Sequence, residues 1–301
     1  MPVDITTCRN ALDLLLKRGL EQDSYSASHL IRGFAASSSL DDAYHVFSIL
    51  PIPNIFAWSA IIDAHTKHGL PHKALSLFTH LHAYTDIRPD AHLFVVAIKA
   101  CSALLAKGLH KARSIHSQVV EYGYAGNTYI GSALIDMYVK FGNMKEAHNL
   151  FRKMASHDVV SWNAIVAGYA QHGPEEEAVK LYNDMKNSNI MPDQVTYLGI
   201  LLACGSLAAL ELGKKLHIEI LKLGFDSEIE ITNTIMNMYA KCGCINVAFY
   251  MFQNSDRYNI ASWSVMTAAY AQHGSGMEAI SLIDRMDLNG FKMDHIAFVN
   301  K

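Results

Sequence analysis

The chain repeats itself, and that constrains it more than any single motif. Its three tryptophans stand at 58, 162 and 263, separated by 104 and 101 residues. Ala57-Trp58-Ser59-Ala60-Ile61-Ile62 matches Ser161-Trp162-Asn163-Ala164-Ile165-Val166 and Ser262-Trp263-Ser264-Val265-Met266. Two further segment families keep the same long period. Ser132-Ala133-Leu134-Ile135-Asp136-Met137-Tyr138 returns as Asn233-Thr234-Ile235-Met236-Asn237-Met238-Tyr239, and Lys99-Ala100-Cys101 returns as Leu202-Ala203-Cys204. Self-similarity of this kind marks an array of one supersecondary unit, each copy burying its apolar face against the next.

Laid end to end, the units run 24–54, 55–90, 91–127, 128–158, 159–193, 194–228, 229–259 and 260–294, with a half unit at 1–23 and a stub at 295–301. Within the short and Trp-bearing units a small residue (Ala43, Ala74, Ala147, Ala178, Ala248, Ala279) is followed four places later by a bulky one (Phe47, Phe78, Phe151, Tyr182, Phe252, Ile283). A spacing of four puts both on one helical face, where small beneath large lets two helices interlock. Each unit reads as two antiparallel helices. In 159–193 the first stops at His172-Gly173-Pro174, with Pro174 at the start of the second and Glu175 to Glu177 favouring its positive end. Gly69, Gly142, Gly243 and Gly274 mark the equivalent turn elsewhere. The expectation is an all-α, right-handed α-solenoid of stacked helix-turn-helix repeats, a single solenoid over 1–301.

Composition narrows the function classes. Half of the residues are hydrophobic, 18% are charged and the mean hydropathy is +0.10, which excludes a disordered chain. No apolar run reaches membrane-spanning length, so no membrane partner is expected. The net charge of −3 means that a nucleic-acid role must rest on local placement rather than bulk charge. Cys8, Cys101, Cys204, Cys242 and Cys244 read as reduced core thiols of an intracellular or organellar protein. No transit or secretory peptide is visible in the first residues.

The stretch Asp158-Val159-Val160-Ser161-Trp162-Asn163-Ala164-Ile165-Val166-Ala167-Gly168-Tyr169-Ala170-Gln171-His172-Gly173 resembles a plant pentatricopeptide repeat, as do Asn237-Met238-Tyr239-Ala240-Lys241-Cys242-Gly243 and Ile190-Met191-Pro192-Asp193. The alternating unit lengths resemble the subclass with P, L and S repeats. On that scheme 24–54, 128–158 and 229–259 are S units, 55–90, 159–193 and 260–294 are P units, and 91–127 and 194–228 are L units; 1–23 is a partial L unit and 295–301 the start of another. The resemblance implies a solenoid that binds single-stranded RNA in the mitochondrion or chloroplast, one base per repeat, to direct C-to-U RNA editing. It also implies editing-complex proteins as partners and no cofactor.

The resemblance puts base selection on the fifth and last residues of each unit. An aspartate carboxylate only accepts hydrogen bonds and so suits guanine N1–H or uracil N3–H, whereas an asparagine amide can donate to the bare ring nitrogen of adenine or cytosine. By the family's code, serine at the fifth position favours a purine and asparagine a pyrimidine. Ser28 with Asn54 then reads A, Ser59 with Asp90 G, Ser132 with Asp158 G, Asn163 with Asp193 U, Asn233 with Asn259 C or U, and Ser264 with Asp294 G. Val95 with Asn127 and Leu198 with Glu228 are treated as spacers, so the expected target is A-G-n-G-U-n-Y-G. The second residues Tyr25, Phe56, Tyr129 and Val160 would wedge between bases. Glu230 and Ala261 break that pattern, which makes the last two units the weakest readers.

Blander readings sit beside these. Asp90, Asp158, Asp193 and Asp294 precede helices, where aspartate is a common N-cap, and capping and reading can coexist. Ser28, Ser59, Ser132 and Ser264 alone would be ordinary helix surface. The tryptophans and most tyrosines read as core, and His116 and His217 as packed polar tips. His217-Ile218-Glu219 matches half of a zinc deaminase motif, but Cys242-Gly243-Cys244 is one residue short of the other half and lacks its proline. His65, His68 and His72 share a helical face without completing a metal site. The chain is therefore read as a binder with no catalytic or metal site of its own. The alternative function is a helical-repeat scaffold for protein–protein interaction.

Overall fold

The structure, a computed structural model, describes residues 5–17, 23–104, 108–255 and 259–291. Asp294 and the 295–301 stub lie outside them, as does part of 1–23. The described residues hold 17 α-helices and no strand. They fall into two compact units that meet in sequence at His157 and Asp158, and each is described by itself.

In the first unit, α1 (Ile5–Lys17) packs on α2 (Ser24–Ala36), which pairs with α3 (Leu40–Ser48). Hairpins follow from α4 (Ile55–Lys67) and α5 (Pro71–Tyr84), α6 (Ala91–Ser102) and α7 (Leu109–Glu121), and α8 (Thr128–Lys140) and α9 (Met144–Lys153). The second unit repeats the scheme with α10 (Val159–His172) and α11 (Glu175–Asn187), α12 (Gln194–Ser206) and α13 (Leu210–Leu223), α14 (Ile229–Lys241) and α15 (Ile245–Gln253), and α16 (Ile260–Gln272) and α17 (Gly276–Leu288). First helices pack on first helices: α2 on α4, α4 on α6 and α6 on α8, then α10 on α12, α12 on α14 and α14 on α16. Second helices α3, α5, α11, α13 and α15 each lean on their own first helix and on the next one.

This layering follows from the two kinds of helix in the sequence. The first helices α4, α6, α10 and α12 are apolar nearly all round; α6 buries Leu93 through Ile98 without a break, then Ala100 and Cys101. Such a helix is stable only inside a stack. Second helices are amphipathic, and α9 buries just Ala147 and Phe151. The small residues Ala43, Ala74, Ala147, Ala178 and Ala248 are fully covered, and Phe47, Phe78, Phe151, Tyr182 and Phe252 above them are buried. Ile283 is only half-buried, so the interlock is looser at the last described hairpin.

The turn between α8 and α9 needs a positive φ, supplied by Gly142 at +68°. At the α10–α11 turn Gly173 takes φ +60°, and Pro174 stands one place earlier than expected, as the N-cap of α11, leaving Glu175, Glu176 and Glu177 in its first turn. The histidines of these turns tie successive first helices together. His68 Nε2 lies 2.8 Å from the Ala35 carbonyl and His273 Nε2 lies 2.9 Å from the Ala240 carbonyl, each adding a side-chain contact to a carbonyl at a helix end that a turn N–H already reaches.

Cys8, Cys101 and Cys204 are buried, and burial pushes the last two thiols up to about 12. Cys242 and Cys244 depart from the core reading: they are half-buried in the turn between α14 and α15, where a short loop cannot be fully covered.

Candidate nucleic-acid interface

The polar residues singled out above gather where the first helices begin. A helix starts with four N–H groups that have no partner within it. In seven places the residue before the helix supplies an acceptor: Asp23 accepts from Tyr25 and Ser26 N–H at 3.1 and 3.4 Å, and the other six are capped as follows. Asn54 accepts from Ala57 N–H at 2.9 Å, Asp90 from Leu93 at 2.8 Å and Asn127 from Ile130 at 3.1 Å. Asp158 accepts from Ser161 at 2.7 Å, Asp193 from Thr196 at 3.0 Å and Asn259 from Ser262 at 2.9 Å. Capping is thus real at every one of these positions, and all seven side chains remain half-buried rather than covered. Glu228 stands at the N-cap of α14 without a side-chain cap bond.

One turn into each helix lies the fifth residue. Ser28, Ser59 and Ser132 are 1–2% exposed, so the ordinary-surface reading is wrong for them: neighbouring first helices close over a side chain that small. Ser264 is half-buried. Ser28 Oγ donates to the Tyr25 carbonyl at 2.7 Å, Ser132 Oγ to Thr128 at 2.9 Å and Ser264 Oγ to Ile260 at 2.8 Å. Asn163 and Asn233, longer by an amide, reach the next helix. Asn163 Nδ2 donates to Asp193 Oδ1 at 2.9 Å and Oδ2 at 3.0 Å, and Asn233 Nδ2 donates to Asn259 Oδ1 at 3.2 Å. Two of the sequence-derived pairs are therefore in direct contact, across 30 and 26 residues. Ser132 belongs to the first compact unit and Asp158 opens the second.

The second residues complete the site. Tyr25, Phe56, Tyr129 and Val160 are 51–63% exposed, although they are aromatic or branched. A spacing of three places them over the same helical face as the fifth residues. Val195, at the same register in a long unit, is equally exposed. Reading its unit as a spacer leaves it out; its register alone marks it. His92, Glu230 and Ala261 occupy that register elsewhere and are also exposed.

Other candidates are absorbed into packing. Trp58, Trp162 and Trp263 are core. His116 Nδ1 lies 3.1 Å from Tyr138 Oη, and His217 Nδ1 lies 3.1 Å from Tyr239 Oη, the same bond repeated 101 residues on. Glu219 accepts from Tyr182 Oη at 2.9 Å, Lys186 Nζ at 2.8 Å and Tyr197 Oη at 3.3 Å, and Lys186 and the two hydroxyls hold its carboxyl below the usual range against the opposing effect of burial. His65 Nδ1 and His68 Nε2 serve the carbonyls of Ile61 and Ala35. Among the described residues no three metal-ligating side chains converge, and no helix is long and apolar enough to cross a membrane.

Comparison with known proteins agrees with this geometry. The profile described as PPR repeat family matches residues 157–206, and that described as PPR repeat matches 56–82, 132–159, 231–260 and 261–291, together more than half of the chain. The chain belongs to the pentatricopeptide repeat family. A pentatricopeptide repeat-containing protein of Arabidopsis thaliana is 31% identical over 286 residues, 95% of this chain and 46% of the relative. A second from the same plant, named mitochondrial, is 34% identical over 307 residues, 95% of this chain and 34% of the relative. The chain thus spans less than half the length of these relatives. Among solved structures, the pentatricopeptide repeat protein PPR10 in complex with an 18-nucleotide psaJ RNA element matches with a TM-score of 0.78 at 16% identity, covering 97% of this chain and 44% of that one. PPR10 from maize matches at 0.69, 18% identity, 97% and 42%. The fold is that of a pentatricopeptide repeat solenoid.

Proposed function

We propose that this chain binds single-stranded RNA, one nucleotide per unit, with A-G-n-G-U-n-Y-G as its preferred target. The observation that carries the reading is the pairing of Asn163 with Asp193 and of Asn233 with Asn259: fifth and last residues of one unit meet at a helix start, beside an exposed second residue. Such a cluster offers a hydrogen-bonding edge next to an apolar surface on which a base can rest. Asp294, outside the described residues, would complete the last reader with Ser264.

The alternating unit lengths support the P, L and S subclass. That subclass makes the protein a specificity factor for organellar RNA processing, C-to-U editing, in the mitochondrion or chloroplast. Catalysis would come from elsewhere, with editing-complex proteins as partners. A second reading, a protein-interaction scaffold, is favoured by Ile218, Leu221 and Tyr250, which are 49–67% exposed on α13 and α15.

Filter binding at two salt concentrations tests the choice. The chain should retain the eight-nucleotide target over its reverse-order counterpart, with affinity falling as salt rises because phosphate contacts release counterions. Retention of neither RNA at either salt would leave the scaffold reading standing.

A further inference from the structure

The capped helix starts from Asn54 onward are not alike. At Asn54, Asp90 and Asn127 the third residue of the following helix is Ala57, Leu93 or Ile130, and the cap is a single bond. At Asp158, Asp193 and Asn259 the third residue is Ser161, Thr196 or Ser262, and its hydroxyl accepts the N–H of the cap residue in return, at 3.1, 3.1 and 3.3 Å. Helix capping alone needs only the first of these bonds. On Thr196 and Ser262 the hydroxyl does something else as well: it touches the side chains of the reading pair.

In 229–259, Asn259 Oδ1 collects three donors: Ser262 N–H at 2.9 Å, Ser262 Oγ at 3.0 Å and Asn233 Nδ2 at 3.2 Å. A flipped amide would set Nδ2 against two obligate donors, Ser262 N–H and Asn233 Nδ2, so the network fixes which end is oxygen and turns Nδ2 away from the helix start. Asn233 Oδ1, meanwhile, is buried with no hydrogen-bond partner. In 159–193 two bonds are added. Thr196 Oγ1 donates to Asn163 Oδ1, while Asn163 Nδ2 holds both oxygens of Asp193. Every polar atom of Asn163 is thereby engaged, and its amide has one orientation.

We infer that Thr196 and Ser262 are specificity-positioning residues, whose hydroxyls fix the orientation of the reading amide before them, and that unit 229–259 consequently selects cytosine over uracil. An outward Nδ2 on Asn259 donates to cytosine N3 and opposes uracil N3–H. The inference rests on the RNA reading proposed above and narrows its Y to C. It also divides the readers into those held by a reciprocal hydroxyl (Asp158, Asp193, Asn259) and those held by one bond (Asn54, Asp90).

The test uses the full chain and two synthetic RNAs that differ only in C or U at nucleotide seven. The wild-type chain should bind the C form more tightly. Ser262→Ala should lower that ratio about three- to tenfold, the worth of one hydrogen bond holding a rotamer, and Ser262→Thr should restore it. Thr196→Val, which keeps volume and removes the hydroxyl, should relax pyrimidine over purine at nucleotide five, with Thr196→Ser as its rescue. Asn259→Asp serves as the control on the base reading itself and should invert the preference at nucleotide seven to U. If Asn259→Asp inverts while Ser262→Ala and Thr196→Val leave their ratios unchanged, the hydroxyls only cap helices and the positioning role is overturned. If Asn259→Asp changes nothing, base reading fails and the positioning role falls with it.

Discussion

The ring of Phe252 meets Trp263 edge-on at a centroid separation of 4.8 Å, joining a second helix to the first helix of the following unit. Phe47 meets Trp58 in the same way at 4.7 Å. Edge-to-face pairs of this kind contribute beyond the area they bury, and here they are the seam between successive hairpins.

Phe252→Ala should therefore lower stability in guanidinium by about 3–5 kcal/mol, as for other buried phenylalanines. Tyr250, two residues earlier and 67% exposed, is the contrast: Tyr250→Ala should stay within about 0.5 kcal/mol. Equal effects would mean that the seam does not carry the stack.

Asp193→Asn separates reading from capping. Asparagine caps a helix as well as aspartate does, and Asn259 shows the same pairing with an asparagine in the fifth position and a hydroxyl three residues on. The melting temperature should hardly move, while preference at nucleotide five shifts from U toward C, with about 1–3 kcal/mol of discrimination at stake by analogy with duplex DNA. Asn163→Ser should move the same nucleotide toward G. A loss of stability with U over C unchanged would reduce Asp193 to a cap.

Acid should weaken the fold through three histidines. Burial, the largest effect in each case, depresses the pKa of His65, His116 and His217 below the ordinary 6.5. The Ile61 carbonyl bonded to His65, Glu146 beside His116 and Asp226 beside His217 oppose this, and Lys153 near His116 and Lys73 and His68 near His65 reinforce it. The folded chain keeps these rings neutral while the unfolded chain takes up protons near pH 6.5. The unfolded state then binds more protons, so stability is full above that pH and declines as pH falls below it. Denaturation midpoints between pH 7 and 5.5 check this, and the double change His116→Gln, His217→Gln should flatten the slope.

Ala57→Ser would give Asn54 the reciprocal hydroxyl that Asp158 finds in Ser161. On the positioning argument, preference for A over G at nucleotide one should sharpen severalfold, with stability unchanged or slightly raised. Unchanged discrimination with a raised melting temperature would assign the hydroxyl to capping alone.

How much of this was legible beforehand follows a physical division. Helical hairpins and their turns could be read because period, small-beneath-bulky spacing and glycine position are local properties of the chain. Burial of Ser28, Ser59 and Ser132 could not, since a serine is covered or exposed according to what the neighbouring helix brings, and nothing in its own surroundings says which. The pattern of a cap residue followed by a hydroxyl, as in Asp193 and Thr196, was visible as letters. Its second bond, from Thr196 to Asn163, joins residues 33 apart and appears only in three dimensions. The division of the described residues at His157 and Asp158 left no mark in composition, because Asp158 begins its helix much as Asp193 does.

First helices that pack chiefly on helices of their own and the adjoining units have a consequence for how such a chain can change over generations. A substitution at one helix start is felt by two neighbours and then fades, so a new preference at one place leaves the rest of the stack as it was. A molecule assembled this way can drift by single letters, keeping most of an old message while trying out a new one.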